Sequence, residues 1–190
     1  LRFLLGNLNN FNNQDFIKPE QMPELERYLL TRISNLNHTL KDLVSKHDYH
    51  GIYTVLLNFC TLELSAFYFD IRKDCLYCDP QNSKKRQSVI LLLQIILNAV
   101  LKWFAPILSF TTEEIFRLIN ETKKSIHLEK FIDFPKKYKN DKLYLKWLEL
   151  IKIRDVCNLS IEEKRSDKII GSSLEASLKV KLNKDHLKLV

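Results

Sequence analysis

Glycine is scarce enough in this chain to narrow its fold class before any pattern is read. Three glycines (Gly6, Gly51, Gly171) and five prolines stand in 190 residues, where ordinary usage of about 7% and 5% would supply some twenty-odd of the two together. A dinucleotide or P-loop phosphate cradle needs clustered glycines so that backbone can approach phosphate, and glycines at 6, 51 and 171 cannot form one. The tight turns of a β-sandwich or barrel are equally short of material. The expectation is a helical protein with no nucleotide loop.

Periodicity supports that class. Leu1, Leu4, Leu5 and Leu8 already form an apolar face at residue 1, so the chain is expected to begin inside a helix and to be a piece of something longer. The Asn-rich run NLNNFNNQ then favours turns. A long amphipathic helix is predicted over 23–46, with Pro23 in its first turn and Leu25, Tyr28, Leu29, Ile33, Leu36, Leu40, Leu43 and Val44 as its stripe. A second helix over 52–71 is apolar around most of its circumference, with Thr54, Asn58, Thr61 and Ser65 as its polar line. Such a helix is expected to be enclosed on several sides. Residues 73–83 (KDCLYCDPQNS) read as a loop.

The run 88–104 is long enough to suggest a membrane span. Gln94, Asn98 and Lys102 share one face, however, and Lys84, Lys85 and Arg86 open it, so it reads as a central bundle helix. Pro106 ends it, Thr111–Glu114 reads as a capping box, and IHLEKFIDFP reads as extended. A last long helix is predicted over 142–164 with Trp147, Leu150 and Ile151 inward. Residues 176–182 (ASLKVKL) alternate like a strand.

Catalytic constellations are missing from the pattern. None of the five histidines (His38, His47, His50, His127, His186) pairs with Glu at HExxH spacing, and Ser109 and Ser160 lack nucleophile-elbow glycines. Glu113 and Glu114 suit cap chemistry better than an acid–base dyad. Cys75 and Cys78 have the spacing of half a zinc site. The other half would have to come from Cys60, Cys157 or His127, so a metal or thiol-redox module stays a rival reading. Four cysteines in apolar settings suggest a reducing compartment, the cytoplasm.

The formal charge of +7 favours a polyanionic partner, RNA or DNA first among them. Arg72 and Lys73 end one helix, Lys84, Lys85 and Arg86 start the next, and Tyr77 lies between. Cations for phosphates and a ring for an unpaired base suit looped RNA. A solubilising rim at the end of a bundle fits the same composition. KKYKNDK (136–142) and Arg154 form a second, weaker set. A further rival is a protein-interaction module using the 23–46 stripe, should that stripe face solvent.

Four blocks carry a resemblance: LRFLLGNLNNF (1–11), FCTLELSAFYFDIRKDCLYC (59–78), SKKRQSVILLLQIILNAVLKWFAPILSFTTEEIF (83–116), and IRDVCN with IIGSSLEASL (153–178). In that order they resemble the anticodon-binding helical domain of the isoleucyl-tRNA synthetases. The APILSFTTEEIF block is similar across the wider class I group with the valyl and leucyl enzymes, whereas FYFDIRKD with LYC and IGSSLEA resemble the isoleucine enzymes. The family often has Arg where Cys75 stands. HIGH-like and KMSKS-like catalytic signatures do not occur, nor do the zinc-binding cysteine pairs of many such enzymes.

The resemblance implies an all-α bundle of the class I anticodon-binding type over 1–164, followed over 165–190 by a linker and the start of a small C-terminal α/β domain. It implies a parent that joins isoleucine to tRNA-Ile with ATP and Mg²⁺, with zinc elsewhere in it, while this piece holds no cofactor, metal or catalytic residue. The partner implied is the anticodon stem-loop of tRNA-Ile, with no membrane and a monomeric, cytoplasmic protein. Charge and position point to Arg72, Lys73, Tyr77, Lys84, Lys85, Arg86 and Arg154 as the tRNA-facing residues.

Overall fold

The computed structural model describes residues 1–8, 18–120 and 124–189. The Asn-rich turn expected around 9–14 lies outside them. The chain forms two compact units, Leu1–Lys139 and Asn140–Val190.

Among the described residues the first unit holds five helices, three of them long. The helix α1 (Arg2–Leu8) is short, and Phe3 stacks on Phe69 with ring centroids 4.3 Å apart. After a 3₁₀ turn at Pro19–Gln21, α2 (Glu24–Ser45) carries the predicted stripe, with Pro23 as the residue before its first turn. Leu25, Tyr28, Leu29, Ile33, Leu36 and Leu40 are buried, each apolar side chain contributing about 1.5–3 kcal/mol. That burial removes the interaction-module reading of this stripe; of the eight positions only Val44 stands exposed.

The turn into the next helix shows how the chain manages without glycine. His47 takes a φ of 57°, the left-handed conformation in which Gly is usual after a helix. Its N–H donates to the Val44 carbonyl and that of Asp48 to Leu43, both at 3.0 Å. Asp48 then caps the new helix, accepting the Gly51 N–H at 2.8 Å. A Cβ on Gly51 would stand 2.5 Å from Asp48 Oδ2, so a side chain here would have to push the capping carboxylate aside.

The helix α3 runs unbroken over Tyr49–Cys78, α-helical to Asn58, π-helical over Phe59–Phe69, and α-helical again over Asp70–Cys78. Two expectations change. The segment read as a loop from residue 73 is helix as far as Cys78. The helix is also not enclosed: Tyr53, Leu57 and Leu62 are 49%, 42% and 63% exposed. Apolar residues all round a helix do not reveal which sides find neighbours.

The helix α4 (Lys84–Phe104) is the core helix expected, with Leu92, Leu93 and Ile96 fully buried. By composition α3 and α4 are both long and apolar enough to cross a membrane; the apolar run of α4 is taken up by protein neighbours. Pairing of Glu26 with Arg72 and of Arg32 with Glu63 makes α2 and α3 antiparallel. The short loop 79–83 makes α4 antiparallel to α3.

Pro106 separates α4 from α5 (Ser109–Asn120). The expected capping box is not one, because the helix starts before it: Thr112 is inside and its hydroxyl donates back to the Leu108 and Ser109 carbonyls. Glu113 reaches instead to the following segment, accepting from Ser125 Oγ and the Ile126 N–H, both at 2.9 Å. That segment, with 3₁₀ turns at Ile126–Leu128 and Lys136–Tyr138, lies as a strap on α2.

The second unit holds α6 (Asp141–Ser166), capped by Asn140, and the short α7 (Lys184–Leu187). Trp147, Leu150 and Ile151 are half-buried. Lys168, at φ 57°, closes α6 as His47 closes α2. The alternating residues 176–182 form no strand; a strand needs an edge to pair with, and the described residues supply none.

Candidate nucleic-acid interface

The last turns of α3, the loop 79–83 and the first turn of α4 form one tip of the bundle. Its loop is pinned from both sides. The Ser83 N–H donates to the Pro80 carbonyl at 3.0 Å, closing the turn. Arg86 reaches back and donates from Nη1 to the Asp79 carbonyl at 2.6 Å. Ser83 caps α4, accepting the Arg86 N–H at 3.5 Å.

The cations selected from sequence fall into distinct environments. Arg72 grips Glu26 side-on, Nε to Oε1 at 2.6 Å and Nη2 to Oε2 at 2.9 Å, while the Tyr68 hydroxyl donates to Oε1 at 3.1 Å. The Glu26 side chain is 0% exposed and that of Arg72 11%. Burial works against the Arg72 charge, but the hydrogen bonds and charge of Glu26 outweigh it and hold the guanidinium pKa above its ordinary value. Burial foremost, then the Glu26 charge, pushes the Tyr68 hydroxyl well above its usual range.

Lys73 bridges to Asp70 at 2.8 Å on the surface. Lys84 and Lys85 are exposed, and Tyr77 is 66% exposed. Three cations in the first turn of α4, with no acid there, oppose the helix dipole, whose N-terminus is itself positive. The arrangement is unfavourable for the helix alone and favourable for an anion.

Cys75 is buried and Cys78 exposed. Burial first, then a hydrogen bond to Asp79, pushes the Cys75 thiol up to about 11, with Lys85 and Arg72 acting in the opposite direction. A thiol so placed stays protonated near neutrality, a poor nucleophile and a poor metal ligand. Burial raises Cys60 as well. Among the described residues no group of three His, Cys, Asp or Glu side chains is placed to hold a metal.

The second basic set sits on the strap. Thr31 Oγ1 donates to the Tyr138 carbonyl and Asn37 Nδ2 to that of Ile132, both at 2.8 Å, and Lys41 pairs with Asp133 at 2.5 Å. Lys136, Lys137 and Lys139 are thereby presented outward on a stapled backbone. Arg154, whose side chain is 37% exposed beside Asp155 at 3.8 Å, belongs to the second unit.

Sequence reading missed Glu26 and Tyr68. The only signal was spacing: Glu26 lies three and four residues before Leu29 and Leu30, on the face of α2 that turns inward, and Tyr68 and Arg72 stand one turn apart on α3. A partner 46 residues away leaves no local trace.

A family model described as the anticodon-binding domain of tRNA ligase matches residues 26–182. The chain is 58% identical over 186 residues to an isoleucine–tRNA ligase of Pelagibacter ubique, covering 96% of this chain and 21% of that one. It is 40% identical to isoleucine–tRNA ligases of Bradyrhizobium diazoefficiens and Methylacidiphilum infernorum, covering 93% and 94% of this chain and 18% and 20% of theirs. The chain thus spans about a fifth of the length of these curated relatives.

Proposed function

We propose, from the premise that this chain belongs to the anticodon-binding domain family of the tRNA ligases, that it recognises the anticodon stem-loop of tRNA-Ile as part of an isoleucine–tRNA ligase. The parent would join isoleucine to the 3′ end of that tRNA using ATP and Mg²⁺ in the cytoplasm, as a monomer. None of that chemistry is assigned to residues of this chain.

One observation carries the reading beyond the family match. Lys84 and Lys85 stand exposed at a helix start where their charge is unfavourable, and Tyr77, exposed on the last turn of α3, lies across the short loop from them in the chain. A positive helix terminus with exposed lysines suits backbone phosphates, and a free tyrosine ring suits an unstacked base. Neither task needs a nucleophile or a metal. A bundle of long helices also suits recognition far from the reacting end of the tRNA, since α4 alone spans ~30 Å at 1.5 Å per residue.

The test is a binding comparison between the anticodon stem-loop of tRNA-Ile and the same stem-loop with its anticodon scrambled. Tighter binding of the matched loop is expected. Equal binding would remove the specificity and leave a general RNA contact.

A further inference from the structure

Between the π-helical stretch of α3 and the exposed tip lies an anchor whose carboxylate is fully enclosed. Glu26 is 0% exposed and accepts three hydrogen bonds, two from Arg72 and one from Tyr68. We propose that Glu26 orients the tip through Arg72, so that Arg72 is a positioning residue for RNA recognition and does not itself touch RNA. This rests on the reading of the tip as the RNA-binding end.

The geometry gives the reason. The segment Phe59–Phe69 is bonded i to i+5, which takes more residues per turn than an α-helix and so resets the rotation of everything beyond it. The α-helical end, Asp70–Cys78, carries Tyr77 and leads into Lys84 and Lys85. Apolar packing of Cys75 and Leu76 tolerates a small swivel. A two-bond fork between a guanidinium and a carboxylate does not, because both bonds must stay in one plane. The fork sits two residues into the α-helical end, and Tyr68, on the last turn of the π segment, bonds the same carboxylate. It therefore clamps the joint between the two windings onto α2. Arg86 fixes the far side of the tip through the Asp79 carbonyl.

A buried ion pair is a weak source of net stability compared with a well-packed apolar pair of the same volume. Its place beneath the tip fits an orienting role.

The test uses the full chain and a synthetic tRNA-Ile anticodon stem-loop, with affinity measured by fluorescence anisotropy over a series of salt concentrations. Glu26→Gln removes a negative charge, so electrostatics alone would tighten RNA binding, as would release of Arg72 toward the RNA. Positioning predicts the opposite sign: affinity falls roughly threefold to tenfold while the salt slope stays that of the unsubstituted chain. Arg72→Lys keeps the charge and loses the fork, and is the second variant should Glu26→Gln fail to fold by circular dichroism. The same loss at the same slope is expected of it. Tighter or unchanged binding in Glu26→Gln, or in Arg72→Lys a slope shallower by about 0.7, the value of one single-strand phosphate, overturns the proposal. A third arm separates the two levels of inference. If Lys84→Glu with Lys85→Glu leaves affinity unchanged, the tip is not the RNA interface and the underlying reading falls. If that pair weakens binding and Glu26→Gln does not, the positioning role alone falls.

Discussion

Asn37 and Trp103 join the middle of the bundle to its strap. The indole N–H of Trp103 donates to Asn37 Oδ1 at 3.0 Å, and the same amide donates from Nδ2 to the Ile132 carbonyl at 2.8 Å. An indole nitrogen can only donate and a carbonyl can only accept, so the two partners fix the orientation of the amide between them. Asn37 and Trp103 are 3% and 1% exposed.

Asn37→Ala is therefore expected to leave two polar groups without their partner, at about 1–3 kcal/mol each where water cannot replace it. A loss of about 2–4 kcal/mol in urea unfolding is the predicted outcome. A change below about 0.5 kcal/mol, the size of an ordinary surface substitution, would mean that water reaches the site. Trp103 fluorescence reports the same event locally.

The two left-handed helix ends give a prediction of opposite sign. His47 and Lys168 both adopt φ 57°, a conformation that costs a side-chain-bearing residue about 1–2 kcal/mol. Glycine removes that cost and adds about 0.5–1 kcal/mol of unfolded-state entropy. His47→Gly and Lys168→Gly are each expected to stabilise their unit by about 0.5–1 kcal/mol, read as a rise in Tm. A fall would show that the side chains make compensating contacts.

What was legible in the sequence follows from the range of the forces involved. The stripe of α2 and the apolar run of α4 repeat locally, and both helices stand where periodicity put them. Of the polar line Gln94, Asn98 and Lys102, Asn98 stands exposed, while Gln94 is half-buried and Lys102 pairs with Glu129 of the strap. The course of α3 past residue 73 was hidden because KDCLYC has no apolar period of its own and is held by Cys75 and Leu76 against α4. The capping box misled for a related reason. Thr and Glu at that spacing satisfy N–H groups at any nearby chain end, and Glu113 serves Ile126 instead of the start of its own helix. At the tip, sequence selected the cationic end but could not separate the exposed Lys84 and Lys85 from Arg72 and Arg86, which are engaged inside the fold.

The hold of Glu113 on the strap should be pH-dependent. Partial burial tends to raise its pKa, but the Ile126 N–H, the Ser125 hydroxyl and Arg117 outweigh that and keep the carboxyl below its ordinary value. A depressed folded-state pKa contributes stability that is complete above the unfolded value, near 4.5, and lost as pH falls through the lower folded one. Exchange of the Ile126 amide, corrected for intrinsic rates, should therefore accelerate as the pH falls below the ordinary glutamate value and through the lowered one. In Glu113→Gln that acceleration should vanish. An Ile126 amide as well protected in strong acid as near neutrality would contradict the assignment.

Lys84 and Lys85 offer the sharpest separation of function from stability. Each is exposed and lies in the first turn of α4, where a cation meets the positive end of the helix dipole and an acid would be favoured by about 0.3–1 kcal/mol. Lys84→Glu with Lys85→Glu should therefore raise the Tm of the chain. If the tip holds phosphates, the same change should weaken stem-loop binding and flatten its salt dependence by about 0.7 for each phosphate no longer held. The two effects have opposite signs, so a general loss of folding cannot imitate them. A solubilising rim gives a different result: the chain gains stability while RNA affinity and its salt slope stay where they were. That outcome would leave the lysines as surface charge and move the search for the RNA-binding face to Lys136, Lys137 and Lys139 on the strap.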